Sequence, residues 1–139
     1  MIRRILVAYD GSEQAGKAFR VALEIAEKFG AEVIVLSVAT LPEPPEAVET
    51  EAVIENAREH YTGAFAALRA GVSSSPSMSI RHEIRIGHAA EQILHMASEE
   101  NVDMIVMGHT GKSMIRRWLL GSVSKRVISY ALCTVSIVR

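Results

Sequence analysis

Cysteine is nearly absent from this chain: Cys133 stands alone, which excludes an internal disulfide and fits a reducing compartment. Its surroundings, "YALCTVSIV", are apolar and suggest a buried, inert thiol. Net charge is nearly absent as well, -1 at neutral pH, so no global field attracts nucleic acid or an anionic membrane. No apolar run approaches the roughly 20 residues of a membrane span. The opening "MIRRILVAYDGS" is basic, but the stretch from Ile5 to Tyr9 is too short for the core of a signal peptide, and Asp10 interrupts it. A cytoplasmic protein is expected, with neither nucleic acid nor membrane as partner. Internal repeats, linkers and metal-ligand clusters are missing too, and no Ser/His/Asp or Cys/His arrangement for nucleophilic catalysis is visible.

What is present is one domain's length of chain, 139 residues, of which 49% are hydrophobic and 22% charged, the balance of a globular fold. "ILVAY", from Ile5 to Tyr9, is a short continuous apolar run closed by "DGS" and reads as a strand buried on both faces. Ser12 can cap the helix that follows, whose apolar positions Ala15, Ala18, Phe19, Ala22, Leu23, Ala26 and Phe29 keep helical spacing until Gly30. Glu32 to Val38 gives a second buried strand. Pro42, Pro44 and Pro45 then enforce a loop, before a helix from about Ala52 to Ala70.

"IRHEIRI" places Ile80, His82, Ile84 and Ile86 on one face and Arg81, Glu83 and Arg85 on the other, the pattern of a strand near a sheet edge. A helix carrying Ala90, Ile93, Leu94 and Ala97, the strand "VDMIVMG", a helix from Val123 to Ala131 and a last strand, "TVSIVR", complete the chain. Five strands alternating with four helices imply right-handed crossovers and a doubly wound, mostly parallel α/β sheet with helices on both faces. Ligands in such sheets sit beyond the carboxyl ends of the strands, where strand order reverses. Two loops there stand out, "DGS" after the first strand and "GHTGKSMIRRWLLGS", Gly108 to Ser122, after the fourth.

The second loop contains Gly111-Lys112-Ser113, the tail of a phosphate-binding P-loop. That motif needs a glycine five positions before Gly111, where Val106 stands inside an apolar strand. No Gly-x-Gly-x-x-Gly fingerprint occurs either. The spacing present is Gly108, two residues, Gly111, nine residues, Gly121-Ser122. Gly108 and Gly111 let the backbone turn sharply and approach a ligand closely. Gly121 and Ser122 open a helix whose free N–H groups suit a phosphate, with the Ser122 and Ser124 hydroxyls as further donors. A phosphate cradle, or a turn followed by an ordinary helix cap, both fit that spacing.

Gly-x2-Gly-x9-Gly-Ser/Thr is the signature of the nucleotide-binding branch of the universal stress proteins, and the chain resembles that family over nearly its whole length. "ILVAYDGSEQAGKAF" looks like its first strand and helix, "MIVMGHTGKS" like its fourth strand and loop, and "LLGSVSKRV" like its last helix. The resemblance implies a sheet of order 3-2-1-4-5 and a bound nucleotide, ATP or else ADP or AMP, carrying Mg or Mn on its phosphates rather than in a protein cage. By position it implies Ala8 and Asp10 beside the nucleotide and the Val38 backbone at the adenine. Gly108, Gly111, Gly121, Ser122, Val123 and Ser124 would meet the ribose and phosphates, with His109 touching one of them. It also implies a homodimer through the last strand, in which Thr134-Val135 replaces the family's usual Pro-Val.

Other features read more plainly. The five histidines fall in separate elements and suggest solvent-facing or capping roles, His109 excepted. Arg116, Arg117, Lys125 and Arg126 suggest a solvated basic face, and Met96, Met104, Met107 and Met114 suggest core filler. No catalytic residue is named: a sensor or adaptor is the functional expectation, with a slow ATPase or nucleotidyl-transfer enzyme of the same architecture as the alternative.

Overall fold

The computed structural model describes residues 1–41, 47–110 and 120–139. The expected proline loop, and Gly111, Lys112, Met114, Arg116 and Arg117 with it, lie outside the described residues. The elements run β1 (Arg4–Ala8), α1 (Glu13–Phe29), β2 (Glu32–Ala39), α2 (Ala47–Ala70), β3 (Ile80–Ile86), α3 (Ala89–Glu99), β4 (Met104–Gly108), α4 (Ser122–Tyr130) and β5 (Thr134–Val138). All strand pairs are parallel, in the order β3-β2-β1-β4-β5.

Period-two alternation sorts the strand residues between two cores. Ile5, Val7, Val33, Val35 and Val106 face α1 and α2, meeting Ala18, Phe19, Ala22 and Phe65. Leu6, Ile34, Leu36, Ile105 and Met107 face α3 and α4, meeting Ile93, Met96 and Val127. β1 and the middle of β2 are buried on both faces because each sits inside the sheet between helical layers.

The ends of α1 follow local chemistry: Ser12 Oγ accepts the Ala15 N–H at 3.1 Å, and Gly30 stops the helix in the left-handed region at φ 68°. Phe29, expected on the buried face, is instead 51% exposed, since the last helical residue overhangs the sheet. α2 begins at Ala47 rather than near Ala52, as "AVETE" contains no helix breaker. At the last strand, Thr134 pairs in register with Met104, so the replacement of proline leaves the strand start in place. Val138 packs on the α1 side, opposite to Val135 and Ile137. Cys133 is half-buried rather than buried, and that partial burial is the main cause raising its thiol pKa.

Candidate functional site

β1 is the shortest path to the site because it stops first. Parallel strands present the backbone groups of alternate residues to alternate neighbours. On β2, Glu32 and Leu36 bond the β1 side, through Glu32 N–H to the Arg3 carbonyl and Tyr9 N–H to the Leu36 carbonyl, both 2.9 Å. Val33 and Ala39 bond the β3 side, at 2.9 and 3.0 Å. Val38 therefore turns its backbone groups toward β1, two residues beyond the last β1 pair, Ala8 with Leu36. On β4, by the same alternation, Gly108 faces β1 past the pair Val7 with Val106. The sheet is open at this point between two strands that continue.

A cavity of about 470 Å³ fills the opening. Of the residues singled out from the sequence, Ala8, Asp10, Val38, Gly108, Gly121, Ser122, Val123 and Ser124 line it. Gly111 is outside the described residues. Tyr61 from α2, Ile93 from α3, and Leu36, Thr40, Met107 and Thr110 complete much of the wall, and the sequence motifs gave no sign of these. Among the described lining residues there is no lysine or arginine, and Asp10 is the single carboxylate.

The floor is fixed by hydroxyl–carbonyl bonds. Ser124 Oγ donates to the Gly108 carbonyl at 3.0 Å in a buried contact, so this hydroxyl is not the free donor expected from the motif. Tyr61 Oη donates to the Val38 carbonyl at 3.4 Å. Asp10 Oδ1 accepts the Ser12 N–H at 2.9 Å, an Asx turn that shapes the "DGS" loop around Gly11, whose φ is 86°. α4 starts at the rim with Gly121 as N-cap and no side-chain cap, so the N–H groups of Ser122, Val123 and Ser124 lack intrahelical acceptors, as in any first turn. The Gly121 N–H itself donates to the His109 carbonyl at 2.8 Å, and His109 N–H to the Val138 carbonyl at 3.0 Å. His109 is buried and does not line the cavity, and its backbone ties β5 to the start of α4.

Gly108 has a reason of its own. Its φ is not positive, so no sharp turn demands glycine there. A Cβ would instead stand 2.9 Å from Gln14 Cβ and 3.1 Å from the Gln14 carbonyl carbon, in the first turn of α1. The glycine lets a helix approach a strand.

Among the histidines His60, His88 and His95 are exposed, as expected, whereas His82 is not. His82 is half-buried against Phe65, ring centroids 4.5 Å apart, with Nε2 2.9 Å from Ser37 Oγ. Ser37 is wholly buried and donates to the Tyr9 carbonyl at 2.7 Å, so His82 Nε2 is the donor to Ser37. Only tertiary pairing of β2 with β3 brings the two together, which is why no sequence spacing revealed them. Ser37 is closed off from solvent and carries no nucleophilic role.

Burial lowers the His82 pKa from 6.5. The folded chain holds the ring neutral while the unfolded chain protonates below 6.5, so stability is retained above that pH and lost as pH falls through it. Thermal unfolding midpoints measured from pH 8 down to about pH 5 should drop more steeply for the wild type than for His82→Gln, which keeps a donor for Ser37 and cannot ionise. Parallel curves would remove His82 as the cause.

Among the described residues no group of three potential metal ligands occurs, and no helix is long and apolar enough to cross a membrane. A family model, the universal stress protein family, matches residues 1–139. A universal stress protein of Methanothermobacter thermautotrophicus is 36% identical, over all of this chain and 97% of its own length. The structure of the universal stress protein UspA from Lactobacillus plantarum superposes with a TM-score of 0.84 at 27% identity, covering 99% of this chain and 98% of that one. A more distant structure, a universal stress protein of Archaeoglobus fulgidus in complex with dAMP, shares the fold with a TM-score of 0.70 at 20% identity, covering 100% and 98%.

Proposed function

The chain belongs to the universal stress protein family, and from that premise we propose that its crevice binds an adenine nucleotide, foremost ATP, and that the protein works as a cytoplasmic sensor or adaptor. The observation that carries this reading is the 470 Å³ cavity where β1 ends, with the first turn of α4, which has no side-chain cap, at its rim. Backbone N–H groups and a helix dipole suit phosphate oxygens, and the apolar wall of Ala8, Leu36, Val38 and Ile93 suits a flat base. The dAMP complex of the A. fulgidus protein supports the ligand class.

In this reading the Val38 backbone meets the adenine. Gly108, Gly111, Gly121, Ser122, Val123 and Ser124 surround the ribose and phosphates, with Ser124 contributing its N–H rather than its hydroxyl. A triphosphate would bring Mg or Mn on its own oxygens, since the described lining residues offer one carboxylate and no cage. Asp10 has an oxygen held in the Asx turn, and among the described lining residues there is no second acid to activate water, which favours binding over turnover.

Acid extraction of the purified protein followed by mass spectrometry should release an adenine nucleotide. Calorimetry should give measurable affinity in the wild type and loss of at least about tenfold in Gly121→Val, whose backbone at φ -64°, ψ 155° is open to any residue. An empty extract together with no nucleotide binding in the wild type would overturn the reading.

A further inference from the structure

The two carbonyls that face the gap beyond β1 are not held alike. Gly108 is bonded by Ser124 Oγ at 3.0 Å inside the core, while Val38 is bonded by Tyr61 Oη at 3.4 Å, the long and weak end of the hydrogen-bond range. Tyr61 belongs to α2 and stands in the cavity wall. One turn along the same helix, the Ala64 carbonyl accepts from Tyr9 Oη, also at 3.4 Å. Two phenol–carbonyl ties thus hold α2 over the carboxyl end of the sheet, one donated by the helix and one by the strand end.

We propose that Tyr61 is the residue through which the crevice registers its occupant: the amino group of an adenine takes the Val38 carbonyl from the Tyr61 hydroxyl, and α2 loses that tie to β2. The inference rests on the nucleotide reading above and goes beyond it in assigning base selectivity and an output. Adenine presents an amino donor beside a ring-nitrogen acceptor, the complement of the C=O and N–H that one extended residue turns to the same side. Hypoxanthine presents a carbonyl at the amino position, which would face the Val38 oxygen and leave Tyr61 in place. A good amine–carbonyl bond replaces a stretched phenol–carbonyl bond only for the adenine, so displacement depends on the base. The surface of α2 turned away from the sheet, with Glu55 and Glu59 exposed, is the face on which the change would be read.

The test compares ATP with ITP, by calorimetry and by amide hydrogen exchange of α2, in the wild type and in Tyr61→Phe, which keeps the ring and removes the hydroxyl. The wild type should prefer ATP by about tenfold or more, and saturating ATP, but not ITP, should speed exchange in the turns of α2 before Tyr61. Tyr61→Phe should show the faster exchange without ligand, respond no further to ATP, and bind ATP several-fold tighter while its affinity for ITP stays unchanged. ATP binding that leaves α2 exchange unchanged or slower would overturn the proposal. So would equal weakening of ATP and ITP in Tyr61→Phe, which marks the ring as a wall and nothing more. Failure of the wild type to bind either nucleotide would overturn the nucleotide reading itself, and this inference with it.

Discussion

Gly108→Val is expected to lower the stability of the empty protein by about 3 kcal/mol, roughly a 10 °C fall in unfolding midpoint for a domain of this size. Two effects oppose each other at this position. Valine suits a strand, and replacing glycine where φ is compatible removes freedom from the unfolded chain, together worth about 1 kcal/mol in the variant's favour. Against that, the new Cβ would lie 2.9 Å from Gln14 Cβ, 3.1 Å from the Gln14 carbonyl carbon and 3.2 Å from its oxygen. Those atoms are helix backbone and its first side-chain carbon, so α1 must shift as a body; a flexible side chain cannot swing away.

The shift would be felt widely, because α1 buries Ala15, Ala18, Phe19, Ala22, Leu23 and Ala26 against the sheet. The loss is therefore expected in chemical denaturation without any nucleotide, and Gly108→Ala should show most of it because the first carbon makes the clash. A Gly108→Ala variant as stable as the wild type, with only ligand binding impaired, would return this glycine to the role the motif suggested.

That contrast shows what the sequence carried and what it did not. Strand and helix order was legible because each element has its own period and its own stops, such as Ser12 before α1 and Gly30 after it. Eight of the ten residues chosen for the site line one cavity because they sit at the carboxyl ends of adjacent strands, just beyond them or at the start of α4, and strand order brings those ends together. Hidden from sequence was every property created by contact between distant segments. The Gln14 contact that demands Gly108 crosses between elements, as do the Ser37–His82 pair and the Tyr61 hydroxyl on Val38. Ser124 shows the same limit: it lines the cavity, but its hydroxyl already donates to the Gly108 carbonyl.

Val135→Pro is expected to convert a homodimer into monomers, on the proposal that two copies join through Thr134 to Val138. β5 is an edge strand, next to β4 alone, and "TVSIV" carries no charge, proline or bulge to discourage pairing. His109 N–H bonds the Val138 carbonyl, so the backbone groups of Val138, Ser136 and Thr134 turn toward β4 and those of Val135 and Ile137 turn outward. Proline at 135 would thus remove an N–H that only another chain could use, while the ladder to β4 stays intact. Ile128, Tyr130 and Leu132, at 46%, 65% and 103% exposed, lie on the adjoining end of α4 and its turn, apolar surface that a second copy would cover. Pairing of β5 with its own copy about a two-fold axis closes on itself and stops at two chains. Valine to proline also trims packing against the α3 and α4 core, so Val135→Ala serves as the control: it loses side-chain contact, keeps the N–H and should remain dimeric. Ile137→Lys should give monomers or aggregates by adding charge at the contact. Light scattering after size exclusion at tens of micromolar reads each outcome. A monomeric wild type, or dimers in all three variants, would place any assembly on another surface.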